Sequence, residues 1–356
     1  MTLNAGSTVP RINAISSAVP ATDGHSSYTA LAESRVGEPR MVPLFRRMTG
    51  RNGIAHRFTV LSPDDCALEP GSFYNRGQSP GTAERMARYA QAAPELALQA
   101  IAGLPSIHDV THLVVASCTG FIAPGLDQVI ARRLGLASTV ERVTIGFMGC
   151  YAGVTALRTA GHIVRSQPSA RVLVVAVELC TLHMQETGDI ESLLAQGQFA
   201  DGAAAALVSG EGEGLMLGDS ISLNLDESAG LITWTIGDTG FAMVLSGEVP
   251  GRIADALAAP DVQARIAPTG AAEIAAWAVH PGGRSILDAV ERGFALPADR
   301  LTASREVLHD FGNMSSATVL FVLQKLMAEQ PASGIAMAFG PGLALEGLRF
   351  GWTDAG

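Results

Sequence analysis

The fold of this chain is decided in Thr144–Gly153, which reads TIGFMGCYAG and continues into VTALR at 154–158. The first part is apolar and strand-like, turns on glycine and leads into a helical pattern. A thiol in front of a helix, as Cys150 is here, faces unpaired backbone N–H groups and the positive end of the helix dipole. Both favour a thiolate, so we expect Cys150 to be a nucleophile with a pKa below the usual value of about 8.5. A buried structural cysteine is the commoner alternative at such a turn.

Two later segments supply the partners that a nucleophilic cysteine needs. Ile274–Gly283 is an apolar strand pattern that ends in His280 and a Pro-Gly-Gly turn, and Val307–Ala317 places Asn313 before another helix. Such a thiol requires a base, and it requires a donor that stabilises the oxyanion formed at an attacked thioester. His280 offers an imidazole and Asn313 offers a side-chain N–H. Each is a weak signal alone, but with Cys150 all three lie at the end of an element, which predicts one shared site.

The rest of the chain alternates between strand and helix patterns, as α/β proteins do. Near-continuous apolar strands are expected where helices cover both faces of a sheet. Strands are predicted at Val110–Ser117, Ala170–Glu178, Ala203–Ser209, 231–236 and Gly240–Ser246, and helices at 129–134 and 318–323. The acidic, glycine-rich loop Glu211–Gly214 marks the predicted boundary between two halves, 1–214 and 215–356. The Cys150 and Asn313 segments share one plan, an active residue in a loop before an apolar helix, so we predict two duplicated α/β halves.

Composition narrows the classes of function. The 356 residues carry a formal net charge of −10, which argues against nucleic-acid binding because that needs a basic face. No apolar run of the sequence reaches the roughly 18 residues of a membrane span. Met1–Ser7 does not resemble a secretion signal, so we expect a cytoplasmic protein. The four cysteines, at 66, 118, 150 and 180, form no CxxC pair and no zinc spacing, which predicts neither disulfides nor a metal site.

Several motifs give the chain its resemblance to the type III polyketide synthases, the chalcone-synthase-like branch of the thiolase superfamily. They are GCYAG at 149–153, GQFADGAA at 197–204, WAVHPGG at 277–283, GNMSSA at 312–317 and FGPGL at 339–343. The similarity runs from about Val9 to Phe350. It implies a five-layered αβαβα thiolase-like fold and an acyltransferase that condenses malonyl-CoA, with decarboxylation, onto an acyl-CoA starter.

The resemblance also assigns roles to residues of this chain. Cys150 would carry the acyl group, His280 would act as base and oxyanion donor, and Asn313 would be the second oxyanion donor. Phe199 would gate the cavity. No cofactor beyond the CoA thioesters is implied, and the product would be cyclised to a pyrone or phenolic ring by the shape of the cavity. The enzyme would be a homodimer, although Ala123 replaces a longer side chain that crosses the dimer interface in relatives.

Further positions concern the cavity and the CoA site. The resemblance places in the cavity Cys118, Cys180, His183, Trp234, Met243, Ser315 and Pro341. The two cysteines stand where threonines are common, and small apolar packing is the alternative for both. Trp234 stands where a small residue often controls chain length, with ordinary core packing as the alternative.

Binding of CoA is assigned by the same resemblance to Arg47, Arg51, Gly282 and Gly283. Arginine forks match phosphate geometry, and a local basic patch is needed to attract an anionic thioester to an acidic protein. Leu44 stands in place of a third basic residue of the family. The alternative for the two arginines is a solvated basic helix face.

Other classes share the Cys/His/Asn set. A ketoacyl synthase III-like enzyme would use malonate on an acyl carrier protein, and the motifs at 197–204 and 312–317 favour the polyketide branch over it. A papain-like hydrolase has the same chain order and a usual Cys-to-His spacing of about 130–150 residues, which fits, but its Cys-Gly-Ser-Cys-Trp motif is missing. A non-catalytic binding module of this fold would lack one of the three residues.

Overall fold

The structure is a computed structural model that describes residues 8–66, 69–75, 77–225 and 228–354. Its strands are β1 Arg11–Ala18, β2 Thr22–Asp23, β3 Phe58–Thr59, β4 His112–Ser117, β5 Glu141–Gly146, β6 Arg171–Leu179, β7 Asp201–Ser209, β8 Gly214–Asn224, β9 Ile232–Gly237, β10 Gly240–Leu245, β11 Ala276–Val279, β12 Gly334–Gly340 and β13 Ala344–Thr353. Its helices are α1 His25–Ser34, α2 Val42–Thr49, α3 Pro63–Cys66, α4 Thr82–Ala102, α5 Leu126–Arg133, α6 Ala152–Ser166, α7 Ile190–Gln196, α8 Val249–Ala258, α9 Pro260–Ile266, α10 Arg284–Phe294, α11 Thr302–Phe311 and α12 Thr318–Met327.

Nine of these strands form one mixed sheet in the order β11-β12-β13-β8-β1-β7-β6-β4-β5. Each half of the sheet repeats the same order. Outward from the middle of the sheet, the N-terminal half runs β1-β7-β6-β4 and the C-terminal half runs β8-β13-β12-β11. In both, the first strand of the half is followed by its last, its second-last and its second strand in the sheet. The N-terminal half adds β5 at the edge. The halves meet where Arg11 and Ile12 of β1 pair with Met216 and Leu215 of β8. This repetition is the arrangement that a duplicated unit predicts.

The layers follow from the alternation of side chains along each strand. In β4, Val114 and Ala116 face α6 and belong to the core that also contains α12, and these two helices lie between the half-sheets. Leu113 and Val115 face α5 on the outside and belong to the core that also contains α4. In β11 and β12 the inward residues are alanines, and the outward ones, such as Trp277, pack with α8 and α10. The layer order is therefore αβαβα. Small residues on the inner faces let the central helices approach both half-sheets closely.

The predicted fold class is confirmed, and the predicted strands and helices occur within a few residues of their expected bounds. The boundary after Gly214 stays a prediction, and it falls at the first residue of β8. Residues 1–7, 67–68, 76, 226–227 and 355–356 of the predicted halves lie outside the described residues, and so does the expectation about a secretion signal, which concerned Met1–Ser7. None of the described helices is both long and apolar enough to cross a membrane.

Candidate active site

A cavity of about 480 Å³, here called the main cavity, lies where ends of elements from both halves meet. It is lined by most of the residues that the sequence singled out. Those residues are Cys118, Cys150, Cys180, Phe199, Trp234, Met243, His280, Gly282, Asn313, Ser315 and Pro341. The predicted site residues are thus brought together from positions up to about 220 residues apart in sequence. His183, Gly283, Arg47 and Arg51 are the predicted positions that lie outside this lining.

Glycine places Cys150 at the start of the central helix α6. Strand β5 ends at Gly146, the chain turns through Phe147–Gly149, and α6 begins at Ala152. Gly149 has a φ of 82°, which favours glycine, and a Cβ there would lie 2.2 Å from the Cδ of Pro341. The expected strand–turn–helix setting of the cysteine is therefore confirmed, and Pro341 of the other half closes onto the same turn.

Asn313 is held by backbone and side-chain hydrogen bonds that leave part of its amide available. Its backbone N–H donates to the carbonyl oxygen of Gln198 (2.8 Å), and its own carbonyl accepts from Ala200 (2.9 Å), so it forms a bridge with Phe199 between them. Its Nδ2 donates to the carbonyl of Gly282 (3.1 Å), and its Oδ1 accepts from the backbone N–H of Ser315 (2.8 Å). An amide nitrogen carries two hydrogens, and the second N–H is directed to the Cys150 thiol in the cavity.

His280 follows β11 and is buried with an exposed fraction of 1%. Its backbone N–H donates to Met337 (2.8 Å), which fixes the residue at the end of the sheet. Neither ring nitrogen has a hydrogen-bond partner among the described residues. Burial lowers the pKa of the ring to about 3, so the imidazole is neutral at physiological pH. A neutral ring can accept a proton at one nitrogen and donate from the other.

The ionisation of Cys150 corrects the expectation drawn from the helix N-terminus. Burial raises the pKa of its thiol to about 11. Hydrogen bonds from Ser315 and Asn313 favour the thiolate and the negative charge of Glu178 disfavours it, but desolvation is the largest effect. The prediction of a pKa below 8.5 was therefore wrong for this cavity, because an apolar chamber penalises the charged form more than a helix terminus stabilises it. The resting pair is a thiol and a neutral imidazole.

Glu178 is a buried carboxylate that the sequence analysis overlooked. It accepts hydrogen bonds from the backbone N–H of Cys118 (2.9 Å), from the hydroxyl of Thr119 (2.8 Å) and from the hydroxyl of Ser316. These donors come from the loop after β4 and from the Asn313 segment, so Glu178 links the two halves next to the cavity. Burial raises its pKa to about 7. The signal in the sequence was a lone acidic residue at the end of the apolar strand Ala170–Glu178.

One wall of the main cavity is a cluster of rings. The indole Nε1–H of Trp234 donates to the carbonyl of Cys118 (3.1 Å), and Trp234 meets Phe241 and His183 edge to face. His183 stacks on Phe241 with ring centroids 4.1 Å apart, and its two nitrogens bond to Thr119 and to the N–H of Phe241. Both nitrogens of His183 are thus occupied, and it supports the wall from behind.

A second space, here called the side cavity, lies beyond this wall and measures about 270 Å³. His183 lines it, and the partition between the two cavities consists of the residues that line both, Cys180, Ala195, Phe199, Trp234 and Met243. The thiol of Cys118 donates to the carbonyl of Gly149 (3.5 Å) and its sulfur accepts the N–H of that residue (3.0 Å), which fits the packing interpretation of this cysteine.

The mouth of the main cavity is lined by Leu44 and Met48 of α2 and by Ser285 at the start of α10. Arg47 and Arg51 are exposed on and just after the same helix. Arg51 also accepts a hydrogen bond from Arg284 through its carbonyl (3.1 Å). The two arginines therefore lie near the mouth without entering it, and their role in binding CoA stays a prediction. Among the described residues no cluster of three His, Cys, Asp or Glu side chains could hold a metal ion.

The fold and the cavity together define a thiolase-like condensing enzyme, which is a class of acyltransferase. Comparison with known families identifies the family within this class. The N-terminal domain of chalcone and stilbene synthases matches residues 14–212, and the C-terminal domain of the same family matches residues 219–351. The chain belongs to this family and is a type III polyketide synthase, which builds polyketides by condensing malonyl-CoA. Family membership supports the polyketide interpretation over the ketoacyl synthase III and papain-like alternatives.

Individual proteins similar to this chain support the same family assignment. The chain is 35% identical over 273 residues to the alpha-pyrone synthesis polyketide synthase-like Pks18 of Mycobacterium tuberculosis, covering 72% of this chain and 69% of that protein. It is 33% identical over 332 residues to bisdemethoxycurcumin synthase of Oryza sativa, covering 85% and 82%. Among solved structures, 1,3,6,8-tetrahydroxynaphthalene synthase of Streptomyces coelicolor superposes with a TM-score of 0.86 at 28% identity, over 97% of this chain and 100% of that one. PKS-I of the brown alga Ectocarpus siliculosus gives 0.87 at 28% identity, over 98% and 100%.

Proposed function

We propose that Cys150 is the acyl carrier of this enzyme and that His280 and Asn313 serve it in both stages of the reaction. In the first stage the Cys150 sulfur attacks the carbonyl of an acyl-CoA starter, and the neutral imidazole of His280 takes the thiol proton. The bond between the carbonyl and the CoA sulfur breaks, and the proton passes to the departing CoA. A thiol with a raised pKa requires this transfer to be concerted with attack.

In the second stage the carbonyl oxygen of malonyl-CoA is held by the N–H of the His280 ring and by the N–H of Asn313 that is directed to Cys150 in the resting site. Loss of carbon dioxide leaves the electron pair of the broken carbon–carbon bond as an enolate, and these donors stabilise its oxygen. The enolate carbon then attacks the Cys150 thioester. A carbon–carbon bond forms, the carbon–sulfur bond to Cys150 breaks, and the lengthened chain is left on CoA. The Cys150 thiolate released in this step takes up a proton from water and returns to the resting thiol.

One observation carries this proposal. The buried ring of His280 has no hydrogen-bond partner among the described residues, although it lines the same cavity as Cys150 and Asn313. Leaving a buried polar group unpaired costs free energy, and such groups persist where a ligand satisfies them. The chemistry needs no cofactor besides the CoA thioesters, and we propose a cytoplasmic enzyme that releases a pyrone or a phenolic ring. The pyrone is supported by the name of the Mycobacterium tuberculosis relative.

We also propose that the enzyme is a homodimer that pairs through β5. This strand ends the sheet and pairs with β4 on one side. Its residues Glu141–Thr144 are exposed, including Val143 at 42%, and the nearby ring of Phe121 is exposed at 48%. An exposed edge strand with apolar neighbours is a natural site for another chain.

The experiment is a search for the acyl-enzyme. The purified protein is incubated with acyl-CoA starters of increasing length, and the acylated residue is located by mass spectrometry of peptides. We expect label on Cys150, no label in Cys150→Ala, and full labelling in Cys66→Ala, because Cys66 is buried away from the main cavity. Label on Cys118 or Cys180 with Cys150 unmodified would overturn the assignment.

A further inference from the structure

Gln198 lines the main cavity next to the proposed gate residue Phe199, and no role has been assigned to it above. Its carboxamide has no hydrogen-bond partner within the part of the chain that the structure describes. A carboxamide offers two donors and one acceptor. The side chain of Gln198 is half-buried, and neither of its polar atoms is among the buried unpaired ones, so both are open to a group that enters the cavity.

The carboxamide of Gln198 packs with its oxygen against the turn that follows the proposed base His280. A Cβ built on Gly283 would lie 1.8 Å from the Oε1 of Gln198, so the glycine leaves room for this side chain. The backbone of Gly283 is extended, with a φ of 169°, and any residue could adopt it. The need for glycine at this position thus comes from the space that Gln198 fills.

Gln198 and Asn313 place two carboxamides in series along one turn. The Asn313 amide donates to the carbonyl of Gly282 (3.1 Å), and the Gln198 amide lies against the next residue, Gly283. Their backbones are joined directly, because the N–H of Asn313 donates to the carbonyl of Gln198 (2.8 Å). Consecutive Cα atoms are about 3.8 Å apart, so the second amide lies a few ångströms along the turn from the first.

The two carboxamides follow one another from the buried proposed catalytic residues toward the exposed mouth of the main cavity. His280 is 1% exposed, whereas Met48 and Ser285 at the mouth are exposed, Met48 at 46%. Along the chain Gly283 lies between these ends, since it directly precedes α10, whose first turn contains Ser285. Gly283 is itself buried behind the cavity lining, and Gln198 is the lining residue that packs against it. In this order, the carrier arm of a CoA thioester whose carbonyl has reached Asn313 lies beside Gln198.

We propose that the Gln198 carboxamide pairs with the amide of the cysteamine unit of the CoA thioester. This amide is the first group beyond the thioester sulfur that both donates and accepts a hydrogen bond, and a short ethylene link separates it from the sulfur. A carboxamide is complementary to it on both counts. Gln198 is then a positioning residue that binds the carrier arm of the substrate and thereby fixes the position of the thioester carbonyl. This inference rests on the proposed function of Cys150, His280 and Asn313.

The test varies the carrier arm and keeps the acyl group. Malonyl-CoA carries the full arm, the malonyl thioester of N-acetylcysteamine keeps only the proximal amide, and the malonyl thioester of butanethiol has no amide. Decarboxylation of each is measured with the wild type and with Gln198→Met, which keeps the length of the side chain and removes its polar atoms. We expect kcat/KM to fall about tenfold for the first two compounds, mainly through KM, and to stay unchanged for the butanethiol compound.

Two further variants make the result interpretable. Gln196→Met is a matched control two residues away, since the Oε1 of Gln196 accepts the N–H of Gln185 (2.7 Å) and its side chain lines the side cavity instead. We expect it to leave the ratio of the three compounds as in the wild type. Gly283→Ala displaces the carboxamide without removing it, and it should reproduce the pattern of Gln198→Met even if that variant folds poorly.

Two outcomes would overturn the inference. An equal loss with all three compounds would mean that Gln198 acts on the malonyl group, and no loss with any of them would mean that it does not contact the substrate. Neither outcome touches the proposed function, which is checked separately by acylation of Cys150 in the wild type. If Cys150 is not acylated but the effect of Gln198→Met still depends on the amide of the carrier arm, the proposed function is refuted. The contact between Gln198 and the carrier arm is then retained.

Discussion

Replacing Trp234 with glycine tests whether the partition between the two cavities limits the length of the product. Trp234 lines both cavities, so removing its indole joins the side cavity of about 270 Å³ to the main cavity of about 480 Å³. A water-sized group occupies roughly 30 Å³, and each extension adds three heavy atoms to the chain, so the added space has room for about two to three more extensions. We expect Trp234→Gly to release products that are longer by whole ketide units, or to accept bulkier starters.

The cost in stability distinguishes this role from ordinary packing. Truncation of a fully buried tryptophan costs about 3–5 kcal/mol of unfolding free energy. Trp234 is half-buried and makes one side-chain hydrogen bond, to Cys118. Replacing Trp234 should therefore cost less unfolding free energy than that range, because less of its side chain is buried. The hydrogen bond contributes about 1 kcal/mol net to this cost. Trp277 is 1% exposed and packs between β11 and the outer helices, which makes it the matched control.

The assay records product masses and melting temperatures for the wild type, Trp234→Gly and Trp277→Ala with one starter and excess malonyl-CoA. Trp277→Ala should lose about 3–5 kcal/mol and keep its product spectrum. If Trp234→Gly behaves the same way, with a large stability loss and unchanged products, Trp234 is a core residue and the partition argument is refuted.

Two other results are expected. Asn313→Ala should slow decarboxylation of malonyl-CoA by about 10²–10³, as loss of one oxyanion donor does, and His280→Ala should reduce overall turnover further because it removes a donor and the proton acceptor together; decarboxylation at the wild-type rate in Asn313→Ala would remove that residue from the mechanism. Alkylation of Cys150 by iodoacetamide should accelerate about tenfold per pH unit toward its pKa of about 11, because the raised pKa leaves a thiolate fraction that grows with pH. The pH profile is measured on Cys66→Ala, and a plateau below pH 8.5 would contradict the effect assigned to burial.

Much of the fold could be read from the sequence because its signals are local. Apolar runs such as Ala170–Glu178 predict buried strands, and glycines at 146 and 149 mark the turn before the helix that follows Cys150. The convergence of Cys150, His280 and Asn313 could also be predicted, since each lies at the end of an element. A sequence motif specifies the local backbone conformation around a residue, and the structure has the conformation that the motifs of these three residues predict.

The ionisation of the site could not be predicted in the same way. A helix N-terminus is visible in a sequence, but the desolvation of Cys150 depends on side chains that come from distant segments and close over it. The same holds for Glu178, whose three donors belong to two separate loops, and for Gln198, whose neighbour Gly283 lies 85 positions away in sequence. These contacts exist only after the halves have packed.

The backbone bridge between Phe199 and Asn313 has a consequence for how the chamber adapts to different substrates. The two segments are joined by hydrogen bonds on both sides of Phe199, as neighbouring strands are. A swing of the whole segment around the proposed gate Phe199 would break these bonds and displace Asn313, the proposed oxyanion donor, so rotation of the phenylalanine ring is the movement that keeps these contacts intact. Rotamer changes of exposed side chains take picoseconds to nanoseconds, whereas the opening of lids takes microseconds to milliseconds. Admission of each new extender unit should therefore not wait for a slow backbone rearrangement at this position.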